Sequence, residues 1–190
     1  MTTTAPAAQT AHPTTVPTTS AAERAERLTR AGQEWGERIA ADRTSAHLTS
    51  RATAAGVGTV ATTVRAGRHA FIVDEPAALA GDDAGPSPVD YVLGALAGCQ
   101  VVVYRLYAQT LGIPFDEIAV TAEADLDAAR LLGADDSVRP GFSEVRIHIT
   151  LNGEETQERY EELRAAVDAN CPVLDIIENP VPVRTTVTRG

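Results

Sequence analysis

Cys99 and Cys171 are the two cysteines of this chain and the residues best suited to do chemistry. Cys99 lies deep in an amphipathic helical pattern that opens at Gly85-Pro86-Ser87-Pro88-Val89-Asp90. Cys171 stands in Asn170-Cys171-Pro172-Val173, at the joint between two helical patterns. The thiolate is the reactive form of cysteine, so a working thiol needs surroundings that favour deprotonation. Pro172 suits the first position of a helix. That places Cys171 at a helix N-terminus, where free N–H groups and the macrodipole favour negative charge. Cys99 has no such help nearby in sequence, so its thiolate needs an Arg or a cap from elsewhere in the fold. Taken alone, either cysteine reads equally well as a small buried hydrophobe. The chain has no Cys-x-x-Cys and no clustered His, which excludes a thioredoxin-like centre and argues against a metal site. No cofactor is expected.

Composition bounds the rest. The chain has 190 residues, 44% of them hydrophobic but only 4% aromatic, so its core must be built from Val, Ile, Leu and Ala. The formal net charge is -10, and all 16 basic residues are Arg. An acidic chain repels phosphate backbones, so nucleic acid is not an expected partner. The absence of Lys rules out Schiff-base chemistry. No apolar run is expected to reach membrane-spanning length, and the Thr/Ala/Pro start lacks a secretory pattern. A cytoplasmic location follows as the expectation, where cysteine pairs are transient or catalytic rather than structural.

The elements that must position the thiols are legible in outline. Residues 1–20, mostly Thr, Ala and Pro, read as a disordered tail. Ser20 with Glu23 forms a capping-box pattern that opens a polar helix to about Asp42, and residues 21–45 form a helical extension. Leu28, Ala31, Trp35 and Ile39 give that helix a thin apolar stripe. Val57–Arg65 alternates like a strand, Gly67 marks a turn, and Arg68–Asp74 returns as the second arm of a hairpin. After a loop over 75–87, Ser87, Pro88 and Asp90 supply the N-cap, first position and capping-box acid of a long helix. Val92, Leu96, Cys99, Val103 and Leu106 share one of its faces, and Gly112 and Pro114 end it. Strands over Ile118–Leu126 and Phe142–Leu151 follow. A helix over Glu154–Ala169, a short helix over 172–178 and a last strand over Val181–Thr188 complete the pattern. The fold class is α+β, with two helices packed on antiparallel sheet.

Four stretches carry a resemblance. Asp74-Glu75-Pro76, Gly85-Pro86-Ser87-Pro88-Val89-Asp90, Ala95-Leu96-Ala97-Gly98-Cys99 and Asn170-Cys171-Pro172-Val173 resemble the OsmC/Ohr family of thiol-dependent hydroperoxide reductases. The resemblance covers residues 46–190, with both cysteines in their family contexts and in the right order. It implies an OsmC-like fold in an intertwined homodimer, each sheet wrapping around two central helices, with active sites at the subunit interface. It implies that Cys99 is the peroxidatic thiol, attacking an organic hydroperoxide, and that Cys171 resolves the resulting sulfenic acid as a disulfide. An external dithiol, in the family often a lipoylated protein, then reduces the pair.

The pattern also departs from the family. Organic-hydroperoxide enzymes carry a Glu ten residues before the peroxidatic Cys, holding an Arg against the sulfur. Val89 stands there in this chain, and its neighbour Asp90 already serves the helix cap. Of Arg51, Arg65 and Arg68, the last, beside His69, is the choice for the activating cation. Pro-Val-Asp and Asp-Glu-Pro resemble the OsmC-like branch rather than Ohr proper. His69 is a candidate base for Cys99, and His148, alternating with Ile147 and Ile149, points to the opposite face of its strand. Three readings follow: a peroxidase for organic hydroperoxides in oxidative stress defence, a different thiol chemistry such as sulfur transfer or electrophile reduction, and a non-catalytic dimeric binding protein.

Overall fold

Ser20 accepts a hydrogen bond from the Glu23 N–H at 3.2 Å and so starts α1, Ala21–Ala41, in this computed structural model. The structure describes residues 16–190, and the expected disordered tail falls mostly outside them. The chain divides into two units, one up to Tyr91 and one over Val92–Gly190.

The N-terminal unit carries α1 and a three-stranded antiparallel sheet, β1 (Ala52–Gly56), β2 (Thr62–Ala66) and β3 (His69–Val73), in the order β1-β2-β3. The expected hairpin about Gly67 is present, with Ala66 opposite His69 and φ +57° at the glycine. The first arm is shorter than its alternation indicated. Residues 57–61 form a loop with Gly58 at φ +60°, and β1, unmarked by alternation in its Ala-Thr-Ala-Ala-Gly sequence, pairs with β2.

Beyond β3, buried Asp74 gathers the following loop. Its Oδ2 accepts from the Asp82 N–H at 3.0 Å and the Ala84 N–H at 3.1 Å. The backbone N–H groups of Ala84 first, then Glu75, hold its carboxyl below the usual carboxylate value against the opposing effect of burial. Gly85 lies so close to the sheet that a Cβ there would meet the Ile72 carbonyl oxygen at 2.5 Å. The loop delivers the chain to α2, Pro88–Leu111. Ser87 and Asp90 form the expected capping box: Ser87 Oγ donates to Asp90 Oδ2 at 2.6 Å and accepts from the Asp90 N–H at 3.3 Å. Tyr91 Oη donates to the Ile72 carbonyl at 2.8 Å, and its ring lies 4.8 Å from that of Phe71.

The C-terminal unit packs most of α2 with β4 (Glu117–Asp125), β5 (Glu144–Asn152), α3 (Gln157–Asp168) and α4 (Pro172–Glu178). β4 and β5 pair antiparallel, with Val120 opposite Ile149. Alternation is clean on both strands: Ile147 and Ile149 turn inward while His148 is exposed. The core comprises Leu96, Val103, Tyr104 and Ala108 of α2, Ile113, Leu163 and Val167 of α3, Cys171 and Leu174. Gly112, at φ +62°, ends α2 where a side chain would strain the left-handed backbone.

Two expectations are corrected. Val181–Thr188 forms no strand, and Val183 and Val187 are exposed; alternation makes a segment competent for pairing, but a strand needs a neighbouring edge to bond. By length and composition α2 does reach what a bilayer span requires. One face of it, with Leu96, Val103, Tyr104 and Ala108, lies in the core of this unit.

Candidate active site

α2 and α4 bring Cys99 and Cys171 together. Cys99, half-buried, and Cys171, 1% exposed, are both free thiols, and Cys171 lies close enough to Cys99 to influence its ionisation. The pair is separated by 72 positions in the chain, so their proximity comes from helix packing rather than local sequence.

Cys171 is the N-cap residue of α4, with Pro172 in the first turn as its sequence indicates. Its side chain caps no helical N–H, while its carbonyl accepts from the Asp175 N–H at 3.0 Å. The Val173 N–H, one of the donors left over at this helix start, points instead to the sulfur of Cys99. The sequence assigned the helix-terminus benefit to Cys171 and none to Cys99. The fold gives a terminal N–H to Cys99, because the N-cap side chain turns into the core and the α2 sulfur takes its place.

Burial is the largest influence on Cys99 and pushes its thiol above the ordinary value. The Val173 N–H opposes this, since a donor stabilises the thiolate. The neighbouring Cys171 adds to the upward push through its side chain, by like charge when both sulfurs ionise. Within one chain, therefore, the balance of these influences favours the neutral Cys99 thiol.

Arg68 occupies the β2–β3 turn, exposed, in the N-terminal unit. Arg65 is exposed on β2, and Arg51 is exposed just before β1. Val89 is exposed in the first turn of α2, and Asp90 is engaged in the capping box, which accounts for that carboxylate. His69 begins β3 and is exposed, as is His148.

Sequence reasoning missed two groups. The Val173 N–H has no side-chain signature, although Cys-Pro at a helix start marks where such a donor occurs. Gln100, next to Cys99, is completely buried, and neither its Oε1 nor its Nε2 has a hydrogen-bond partner among the described residues. Its place on the core face, four residues from Leu96 and three from Val103, is readable only once that face is known.

A family model for OsmC-like proteins matches residues 81–186, which include both cysteines and the Gly-Pro-Ser-Pro helix start. Comparison with curated proteins finds no match. Among solved structures, an OsmC-like protein from Mycoplasma pneumoniae has a TM-score of 0.61 at 16% identity, over 70% of this chain and 89% of that one. An organic hydroperoxide resistance protein OsmC from Legionella pneumophila has a TM-score of 0.55 at 24% identity, covering 70% and 90%. An organic hydroperoxide resistance protein from Elizabethkingia anophelis, solved with thiocyanate bound, likewise gives 0.55 at 24% identity, covering 70% and 91%. At these identities the likeness establishes the fold, and the family match over more than half of the sequence establishes the rest: the chain belongs to the OsmC-like family.

Proposed function

We propose that this protein is a thiol-dependent peroxidase that reduces organic hydroperoxides, with Cys99 as the peroxidatic and Cys171 as the resolving residue. The observation that carries the reading is that the fold brings the two free thiols, distant in sequence, close enough to influence one another, as a catalytic disulfide pair requires. Two of the structural relatives are organic hydroperoxide resistance proteins, which supports the same substrate class here.

The Cys99 thiolate attacks the distal oxygen of ROOH, the O–O bond breaks, and the alkoxide takes a proton to leave as ROH. Cys99 is then a sulfenic acid. The Cys171 sulfur attacks it, forming the S–S bond and releasing water. A dithiol, free or carried as a lipoyl group on a protein, reduces the disulfide through a mixed disulfide and is itself oxidised to a ring disulfide. The Val173 N–H stabilises the anionic sulfur at the start of the cycle. Arg68 is assigned as the cation that lowers the Cys99 thiol; it makes no ion pair among the described residues.

A homodimer is part of the proposal. α2 leaves Val92, Val102 and Leu106 exposed along one side, and the Val181–Val187 segment is exposed too, so a second copy has apolar surface to cover. Assay in the cytoplasmic thiol environment is the relevant setting. The test is intact mass and thiol count of reduced protein after one equivalent of cumene hydroperoxide, with hydrogen peroxide in parallel. Loss of two thiols and two mass units, faster with the organic peroxide, supports the pair. Thiols that survive the treatment point to a different thiol chemistry.

A further inference from the structure

α1 lies outside the family-matched residues 81–186, and no residue along its 21 positions is buried. Its apolar side is nonetheless ordered. Ala21, Ala25, Leu28, Gly32, Trp35 and Ile39 recur at alternating spacings of four and three, the heptad pattern of a helix made to pair with another. Charge is kept off that seam. Arg27 pairs with Glu23, and Arg30 with Glu26, on the outer face. Arg38 stacks its guanidinium over its own Trp35 ring at 5.0 Å.

The seam has three large residues, Leu28, Trp35 and Ile39, and three small ones, Ala21, Ala25 and Gly32. In a parallel pair of identical helices, each residue faces its own copy, so Trp35 meets Trp35 while Gly32 leaves a void. Antiparallel pairing resolves this. Trp35 then faces Ala25 of the other copy, Leu28 faces Gly32, and Ile39 faces Ala21, so every large side chain meets a small one.

The charges select the same partner. α1 holds four Glu and four Arg, with no net charge to attract a membrane or a nucleic acid. The first half, with Arg24, Arg27 and Arg30 against Glu23 and Glu26, is positive by one. The second, with Glu34 and Glu37 against Arg38, is negative by one. Antiparallel pairing puts Arg24 alongside the stretch carrying Glu34 and Glu37 and opposes the two helix dipoles.

We infer that α1 is a self-association arm that pairs antiparallel with α1 of a second copy. The inference is independent of the peroxidase reading. It is tested in the full chain, with Cys99→Ser and Cys171→Ser removing the native thiols, by adding Ala21→Cys, Ile39→Cys or both. Within one helix the two positions are about 27 Å apart, too far to bridge. The chain carrying both cysteines forms covalent dimers on mild oxidation, and each single variant stays uncrosslinked. Cross-linking of the single variants would mean parallel pairing, and no cross-linking in the double variant would mean that α1 does not pair with a second copy; either overturns the inference. Trp35, the only tryptophan, provides a second readout. Pairing shields it from acrylamide, and Ala25→Glu, ten residues away on the same helix, removes the shielding. A Trp35 equally quenched in both proteins overturns the inference as well.

Discussion

The Val173 N–H meets the sulfur of Cys99, so the first turn of α4 serves a residue of α2. This relationship sets a backbone donor that would otherwise lack a helical acceptor against the Cys99 sulfur, where it favours the thiolate form. It also explains how the two cysteines come close together: the segment that supplies the donor begins with Cys171.

Cys99→Ser is expected to reduce hydroperoxide turnover to the uncatalysed background. Cys171→Ser should consume about one equivalent and then stop, because the sulfenic acid finds no partner thiol. Dimedone labelling followed by mass measurement distinguishes the two. Normal multiple turnover by Cys171→Ser with a dithiol would remove Cys171 from the resolving role.

Cys171→Ala should lower the Cys99 thiol pKa, since it removes a neighbouring sulfur able to ionise. The rate of iodoacetamide labelling of Cys99 against pH reports this directly. A midpoint unchanged from the parent would show that Cys171 does not contribute to the value. Arg68→Ala is the complementary variant: if Arg68 activates Cys99, the midpoint moves upward.

Stability should fall on the alkaline side. Burial first, then the Asp168 carboxylate, push the Tyr104 hydroxyl up to about 12. A group with a raised folded value binds its proton more tightly when folded. Its contribution is therefore complete below its unfolded value, about 10 for tyrosine, and is lost as pH rises through about 12. Thermal melts across this window should show a smaller alkaline loss for Tyr104→Phe. Cys99 acts in the same direction, beginning nearer the ordinary thiol range.

Gly85→Ala should destabilise by about 1–3 kcal/mol, because its methyl group meets a backbone oxygen that cannot move aside cheaply. Asp74→Ala should loosen the same loop by stranding the N–H groups of Asp82 and Ala84. Urea midpoints measure both effects, and parent-like values would show that the loop is not held from Asp74.

Gln100→Leu should stabilise by about 1–2 kcal/mol, since the amide is buried with both polar atoms unpaired and leucine has similar volume. A loss of stability instead would reveal that Gln100 has a hydrogen-bonding partner in the assembled protein.

Features that depend on near neighbours in the chain were legible from the residues alone. Ser20 and Ser87 announced α1 and α2 because an N-cap is a contact across three residues. Pro172 announced α4, and alternation on Ile147, His148 and Ile149 announced both faces of β5. The same logic failed where the outcome lies with a distant partner. β1 has little alternation yet forms a strand because β2 offers an edge, whereas Val181–Thr188 alternates and forms none. The thiol environment belongs to this second kind. Which cysteine receives the Val173 N–H follows from the way α2 crosses the start of α4, and a hydrogen bond between residues so far apart in the chain exists only after the core of Leu96, Leu163 and Val167 has closed.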